Sequence, residues 1–288
     1  MTAEKLLKNQ AVGVFDSGVG GISVLKHIRA ELPAEDLLYC ADSRHAPYGN
    51  KTPEAIRERA TYLTNFLIAQ GAKAIVVACN TATAAAIDIL RERYSLPIIG
   101  MEPAVKPAVA ATKTGVIGVL ATTGTLQSAQ FAGLLEHYGQ NVTVVTQACA
   151  GLVECVERGE LEAESTKALI STYLTPLIEA NADAIVLGCT HYPFVRPLIE
   201  QIICEQYPQS AITLIDTGAA VARQLQRRLQ EAGLLNASEA EGKDSFWVNR
   251  QSSNEMLETA EILAALWQGE GYVAPLPILA KYRAAEPV

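Results

Sequence analysis

A chain of 288 residues that is 49% apolar and 19% charged has ample material for sizeable cores, and excludes a disordered polypeptide. Its net charge of −8, with no basic cluster beyond "RQLQRRLQ" (223–230), argues against a grip on nucleic acid; that run reads as the solvated face of a helix. No apolar run approaches the roughly 18 residues of a membrane span, and the N-terminal stretch lacks the pattern of a secretory signal, so a cytoplasmic protein without a membrane partner is expected.

In chain order, short apolar runs alternate with helical periodicities. "AVGVF" (11–15) is a strand that leads into a glycine-rich turn. A helix follows, with Ile22, Leu25, Ile28 and Leu32 on one stripe. "DLLYCA" (36–41) is the second strand. Thr52 and Pro53 have the form of an N-cap with proline at the first helical position; Ile56, Ala60, Leu63 and Leu67 continue that helix, and Gly71 ends it. "AIVVAC" (74–79) is a third strand and "PIIGM" (97–101) a fourth. Strands alternating with helices predict open, mainly parallel sheets covered on both faces.

The pattern then starts again. "TGVIGVLATTGT" (114–125) is strand and turn, "NVTVVTQ" (141–147) a strand, 166–182 a long helix, and "DAIVLGC" (183–189) a strand. Three points align between the halves: Asp16–Ser17 with Ala121–Thr122, Gly49 with Gly159, and Cys79 with Cys189. A repeat of this period predicts two pseudo-symmetric α/β lobes rather than a solenoid. After "AITLIDTG" (211–218) come a helix to about Glu231, a polar loop (236–245), the strand "SFWVN", and a last helix over 254–267 with Leu257, Glu261 and Ala264 one turn apart. This tail is expected to cross back onto the first lobe. The expected division is residues 1–103 with 216–288, and 104–215.

Ligands of open parallel sheets bind beyond the carboxyl ends of the strands, and each aligned point sits there. Two facing lobes would bring both sets into one cleft. Of the six cysteines, those at 40, 149, 155 and 204 read as small buried hydrophobes. There is no C-x-x-C pair and no His at ligand spacing from a Cys, so no metal is expected. Cys79 and Cys189 are different, because they close equivalent strands and lead into polar turns. Racemisation takes a proton from one face of a carbon and returns one to the other, which needs two acid/base groups on opposed sides. A thiol serves either role, and a helix N-terminus or a cation can lower its pKa. Asn80, Thr81, Thr190 and backbone N–H groups at helix starts can hold carboxylates. Asp16 fits a helix cap as readily as a site residue, and so does His191. "DSGVGG" (16–21) is not a phosphate loop, since Ser23 stands where the last glycine of G-x-G-x-x-G belongs; it is a tight turn presenting Asp16 and Ser17.

"GVFDSGVGG", "HAPYGNKTP", "VACNTAT" and "GCTHYP" together resemble the glutamate racemases, a branch of the aspartate/glutamate racemase superfamily, over residues 12 to about 230. The resemblance implies two α/β lobes with the site in the cleft between them, and Cys79 and Cys189 as the proton donor and acceptor. It implies substrate contacts from Asp16 and His191, and their places in the chain lead us to expect that Asp16 assists Cys79 and His191 assists Cys189. It also implies substrate contacts from Ser17, Tyr48, Gly49, Asn80, Thr81 and Thr190. Thr122 joins them as the counterpart of Ser17. Glu157 falls where the family has an acidic residue near the site. The implied reaction interconverts L- and D-glutamate without a cofactor and supplies D-glutamate for peptidoglycan; members are often homodimers. Racemisation of another acidic amino acid, or isomerisation of a small diacid, would use the same two thiols. A two-lobed binding protein is the reading from another class, and the paired thiols count against it.

Overall fold

The computed structural model describes residues 8–250, 252–269 and 272–277. The outermost parts of the expected first lobe, residues 1–7 and 278–288, lie outside the described residues. Ten strands are described: β1 (Ala11–Asp16), β2 (Leu37–Ala41), β3 (Ala72–Val77), β4 (Ile98–Ile99), β5 (Val116–Ala121), β6 (Thr143–Ala148), β7 (Ala184–Leu187), β8 (Thr213–Ile215), β9 (Asp244–Val248) and β10 (Tyr272–Pro275). They form two sheets, in the orders β10-β9-β2-β1-β3-β4 and β6-β5-β7-β8, with every pairing parallel. β1, β2, β3 and β7 are buried along their whole length, which is why they read as nearly continuous apolar runs rather than alternating ones; the exception inside β3, Lys73, is paired with Glu35 at 2.6 Å. β6 is an edge strand, and its half-exposed residues account for the threonines and glutamine in its sequence.

The order β2-β1-β3-β4 in one sheet is repeated as β6-β5-β7-β8 in the other. Each half therefore runs out to one side of its first strand and then crosses back to the other. β9 pairs with β2, so the tail does return to the first sheet. The helix Gly218–Glu231 packs on Ile22–Glu31 and belongs to the same side of the molecule. The largest buried cluster runs from Val12, Val14 and Val76 of the first sheet to Leu174, Leu187 and Tyr192 of the second half. The two sheets thus share packed apolar surface behind their facing ends.

The helix starts follow from local chemistry. Thr52 accepts a hydrogen bond from the Ala55 N–H at 3.3 Å, with Pro53 in the first turn, a cap of about 1 kcal/mol. Gly71 then takes the left-handed φ of +89° that ends the helix.

Several expectations are corrected. The third strand is Ala72–Val77, two residues earlier than "AIVVAC", because Cys79 already caps the helix Asn80–Arg93. Gly49 and Gly159 are not equivalent: Gly49 lies in a 3-10 turn against Thr122, whereas Gly159 is left-handed and faces Ile262. On the helix Ser253–Trp267 the buried face is Thr259, Leu263, Leu266 and Trp267, and Leu257 is 64% exposed. Cys40, Cys149 and Cys155 are buried, but Cys204 is exposed on the helix Arg196–Gln206. That helix and Val105–Ala111, Ala129–Tyr138 and Leu152–Glu157 were not among the expected elements, although Pro197 and the spacing of Leu198, Ile199, Ile202 and Ile203 signal the first of them.

Candidate active site

In each sheet the direction of winding reverses beside the first strand, between β1 and β3 and between β5 and β7. A doubly wound sheet opens its crevice at that point, outside the carboxyl ends of the strands. Asp16 is the last residue of β1 and Ser17 follows it; Cys79 lies two residues beyond β3. In the second sheet Thr122 follows β5 and Cys189 lies two residues beyond β7. Both cysteines are therefore delivered by the same topological rule, once per half.

Cys79 is the N-cap of the helix Asn80–Arg93. Its Sγ accepts from the Ala82 N–H at 3.4 Å and lies 3.8 Å from Ser17 Oγ. Ser17 Oγ donates to Asp16 Oδ1 at 3.3 Å. Asp16 Oδ2 accepts from the Gly21 N–H at 2.7 Å and from Thr190 Oγ1 at 3.4 Å, the second bond reaching across from beyond β7. Cys189 has a different partner. No α-helix begins directly after it; a 3-10 turn, Tyr192–Val195, comes first. Its Sγ lies 3.6 Å from His191 Nδ1 instead, and His191 Nε2 lies 2.8 Å from Glu157 Oε1. That oxygen also accepts from the Val19 N–H at 2.7 Å. A third group joins the halves: Thr81 Oγ1 lies 2.8 Å from Thr122 Oγ1 and 3.1 Å from Thr125 Oγ1. A side chain at Gly49 would collide with Thr122.

The matching family description is Asp/Glu/Hydantoin racemase, over residues 12–225. The chain belongs to this racemase family. A glutamate racemase from Ectopseudomonas mendocina is 60% identical over 237 residues, 82% of this chain and 88% of the relative. The crystal structure of a glutamate racemase isoform from Bacillus anthracis superimposes with a TM-score of 0.83 at 30% identity, covering 94% of this chain and 99% of the other. That of the Francisella tularensis glutamate racemase in complex with D-glutamate gives 0.80 at 30% identity, over 96% and 100%. The protein is accordingly an isomerase, an amino-acid racemase, and its two-sheet α/β architecture is that of the solved glutamate racemases.

The electrostatics of this racemase differ between the two thiols. Cys79 and Cys189 are only 5% and 7% exposed. Burial pushes the Cys79 thiol well above its ordinary range, and the nearby Asp16 carboxylate adds to the rise, so Cys79 rests as the protonated thiol. Burial also raises Asp16, against the opposing charge of His191. For His191, burial works against the charged ring, but hydrogen bonds to Cys189 and Glu157 outweigh it and hold the imidazole well above its ordinary value. One thiol thus rests as an acid, while the other has a proton-carrying ring beside it.

The glycines of "DSGVGG" have a reason beyond the turn itself. A Cβ on Gly18 would overlap the Glu157 carboxylate, and one on Gly20 would overlap the His191 ring. The turn can approach the opposite half only because these two side chains are absent. Ser23, which spoils the dinucleotide pattern, donates to the Thr190 carbonyl at 2.8 Å. Tyr48 is buried with its hydroxyl donating to Asp42 at 2.5 Å. Asp42 accepts the Arg59 guanidinium at 2.7 and 2.8 Å as well as His45. Burial alone would raise Asp42, but these hydrogen bonds lower it. Of this network only Tyr48 was singled out from sequence; Asp42, Arg59, Thr125 and Arg250 were not. Arg59 carried a signal, for it lies three residues after Ile56 and four before Leu63, a charge on an apolar stripe.

Asn80 is 3% exposed, and both its amide nitrogen and its amide oxygen lack a partner. Native proteins rarely leave a buried amide unsatisfied without a use for it. Asn80→Ala is expected to lower kcat/KM by about 10-fold, the worth of roughly one hydrogen bond to substrate. The melting temperature of the ligand-free protein should not fall, since no intramolecular bond is lost. Steady-state kinetics beside a thermal melt checks both; unchanged kcat/KM would remove Asn80 from substrate binding.

Proposed function

We propose that this racemase interconverts L- and D-glutamate by two-base proton transfer at Cα, with Cys79 and Cys189 on opposite faces of the substrate and no cofactor. The observation that carries this reading is the pair of thiols at equivalent strand ends of the two halves, each with its own polar partner. The Francisella tularensis relative was solved in complex with D-glutamate, which favours that substrate. Cys189 takes the Cα proton of the L-isomer, with His191 beside it to hold or relay the proton. Cys79, resting as a thiol, delivers a proton to the other face. For the D-isomer the roles exchange, with Asp16 beside Cys79.

Asn80 and Thr81 at one helix start, with Ser17 and Thr190, offer donors for the carboxylates. Tyr48, Gly49 and Thr122 line the approach to the Thr81 hydroxyl. Glu157 acts through His191. The racemase works in the cytoplasm, supplies D-glutamate for peptidoglycan, and forms a homodimer. Its lobes are residues 1–103 with 216–288, and 104–215. The deciding experiment incubates the protein in D2O with L-glutamate or L-aspartate and no added cofactor. Loss of optical activity by circular dichroism, with deuterium entering Cα, is expected for glutamate. Turnover of aspartate alone would reassign the substrate.

A further inference from the structure

Glu157 is held from three sides, and only two of the holders belong to the groups already described. Its Oε1 takes the Val19 N–H and His191 Nε2. Its Oε2 takes Arg250 Nη2 at 3.4 Å. Arg250 follows β9, in the tail that returns to the first sheet, whereas Glu157 ends a helix between β6 and β7. The guanidinium is itself pinned: Nε donates to Thr259 Oγ1 at 2.6 Å and Nη1 to the Ser43 carbonyl at 3.2 Å. Thr259 is buried on the inner face of the helix Ser253–Trp267. The side chains of Glu157 and Arg250 are 9% and 22% exposed, so this pair is better shielded than an ordinary surface ion pair.

The geometry explains what such a grip would do. The terminal torsion of a glutamate is broad, and two donors on one oxygen leave the carboxylate plane loosely set. A donor on the second oxygen fixes it. A carboxylate only accepts, so Nε2 of His191 must carry the hydrogen, and Nδ1 is the nitrogen that exchanges protons with Cys189. Any tilt of Glu157 would swing the imidazole relative to Cys189 Sγ. We propose that Arg250 is a positioning residue of this racemase, which acts through Glu157 to set the orientation of His191 against Cys189. The assignment rests on the proposed role of Cys189 in proton transfer.

The test is a double-mutant cycle of Arg250→Met and Glu157→Ala, read by deuterium incorporation at Cα of glutamate, which measures slow variants as well as fast ones. With Glu157 present, Arg250→Met is expected to lower kcat about 10-fold, as loss of a partner that orients a functional histidine does elsewhere. Without Glu157, the same substitution should change kcat by less than about 2-fold, because Arg250 then has no link to His191. Arg250→Lys should recover part of the loss. An equal loss in both backgrounds, or no loss with Glu157 present, overturns the proposal. Arg250→Gln, whose amide nitrogen stands at the level of the Nε that meets Thr259, replaces Arg250→Met in the same cycle should the latter not fold. Nitrogen-15 spectra of His191 provide a readout that needs no substrate. The Nε2–H signal is expected to broaden or exchange faster in Arg250→Met, and an unchanged signal also overturns the proposal. A wild type that does not turn over glutamate would overturn the substrate assignment and leave this spectroscopic result standing on its own.

Discussion

Cys79→Ala and Cys189→Ala are each expected to abolish racemisation in both directions, measured by circular dichroism against the wild type. A single base on one side of Cα can remove a proton and restore it only to the face it came from. Inversion needs the second group, whatever the rate of the first. Positioned acid/base groups commonly contribute about 10²–10⁴-fold, and the loss here should reach the upper part of that range because inversion needs both thiols at once. The geometry also predicts what survives. Cys79→Ala keeps Cys189 beside His191, and should still exchange the Cα hydrogen of L-glutamate for deuterium without inverting it. Cys189→Ala keeps Cys79 beside Ser17 and Asp16, and should exchange D-glutamate alone. Inversion at near-wild-type rate in either variant removes that cysteine from the mechanism. Exchange of both isomers by one variant would mean that a single group reaches both faces.

The strands that deliver these groups were legible because they are buried on both faces. β1, β3 and β7 are nearly continuous apolar runs, and within three residues of each end the chain turns polar, at Ser17, Asn80 and Thr190. The repeat was legible for the same reason: Cys79 and Cys189 both stand two residues past such a strand. What the sequence concealed depends on the approach of one half to the other. Nothing near Gly18 or Gly20 announces Glu157 or His191, which are more than 130 residues away and yet occupy the space a Cβ would need. Arg250 sits in a polar tail whose return to the first lobe could be anticipated, but its reach to Glu157 could not. The difference between the thiols was hidden as well. Both were expected to gain from a helix start, and only Cys79 does; Cys189 meets a 3-10 turn and a histidine. The face of the last helix was misjudged because Ala264 and Leu257 are apolar in type, while Thr259 is the residue that packs inward and receives Arg250.

That difference between the thiols leads to the second large effect. His191→Asn and Asp16→Asn are each expected to cut turnover by about 10²-fold or more, by removing a titratable partner while keeping its shape. L- and D-glutamate have equal free energies in achiral water, so the equilibrium constant is unity and kcat/KM must fall by the same factor in both directions. The division of that loss between kcat and KM is free to differ. On the proposed mechanism the proton-accepting thiol for the L-isomer is Cys189, beside His191, and for the D-isomer Cys79, beside Asp16. Removing the imidazole changes the energy of the first complex and leaves the second almost untouched, so kcat should change by different factors for L→D and D→L. Asp16→Asn should skew the two values the opposite way.

Stability supplies the folding control for Asp16. Its folded pKa lies above the ordinary 3.8, so between those values the folded chain keeps a proton that the unfolded chain releases. Stability on this account falls as pH rises through that window, and the loss persists at neutral pH. Asparagine carries no such burden, and Asp16→Asn should melt at or above the wild-type temperature at neutral pH even as turnover collapses. His191 also loses stability as pH rises, but as a contribution given up rather than a burden taken on. Its folded value lies above the ordinary one, so its contribution to stability is complete below about pH 6.5 and is lost as pH rises through the raised value; His191→Asn should flatten that decline. Folded variants with equal changes of kcat in the two directions would leave one helper per thiol without support, while opposite skews would place His191 with Cys189 and Asp16 with Cys79.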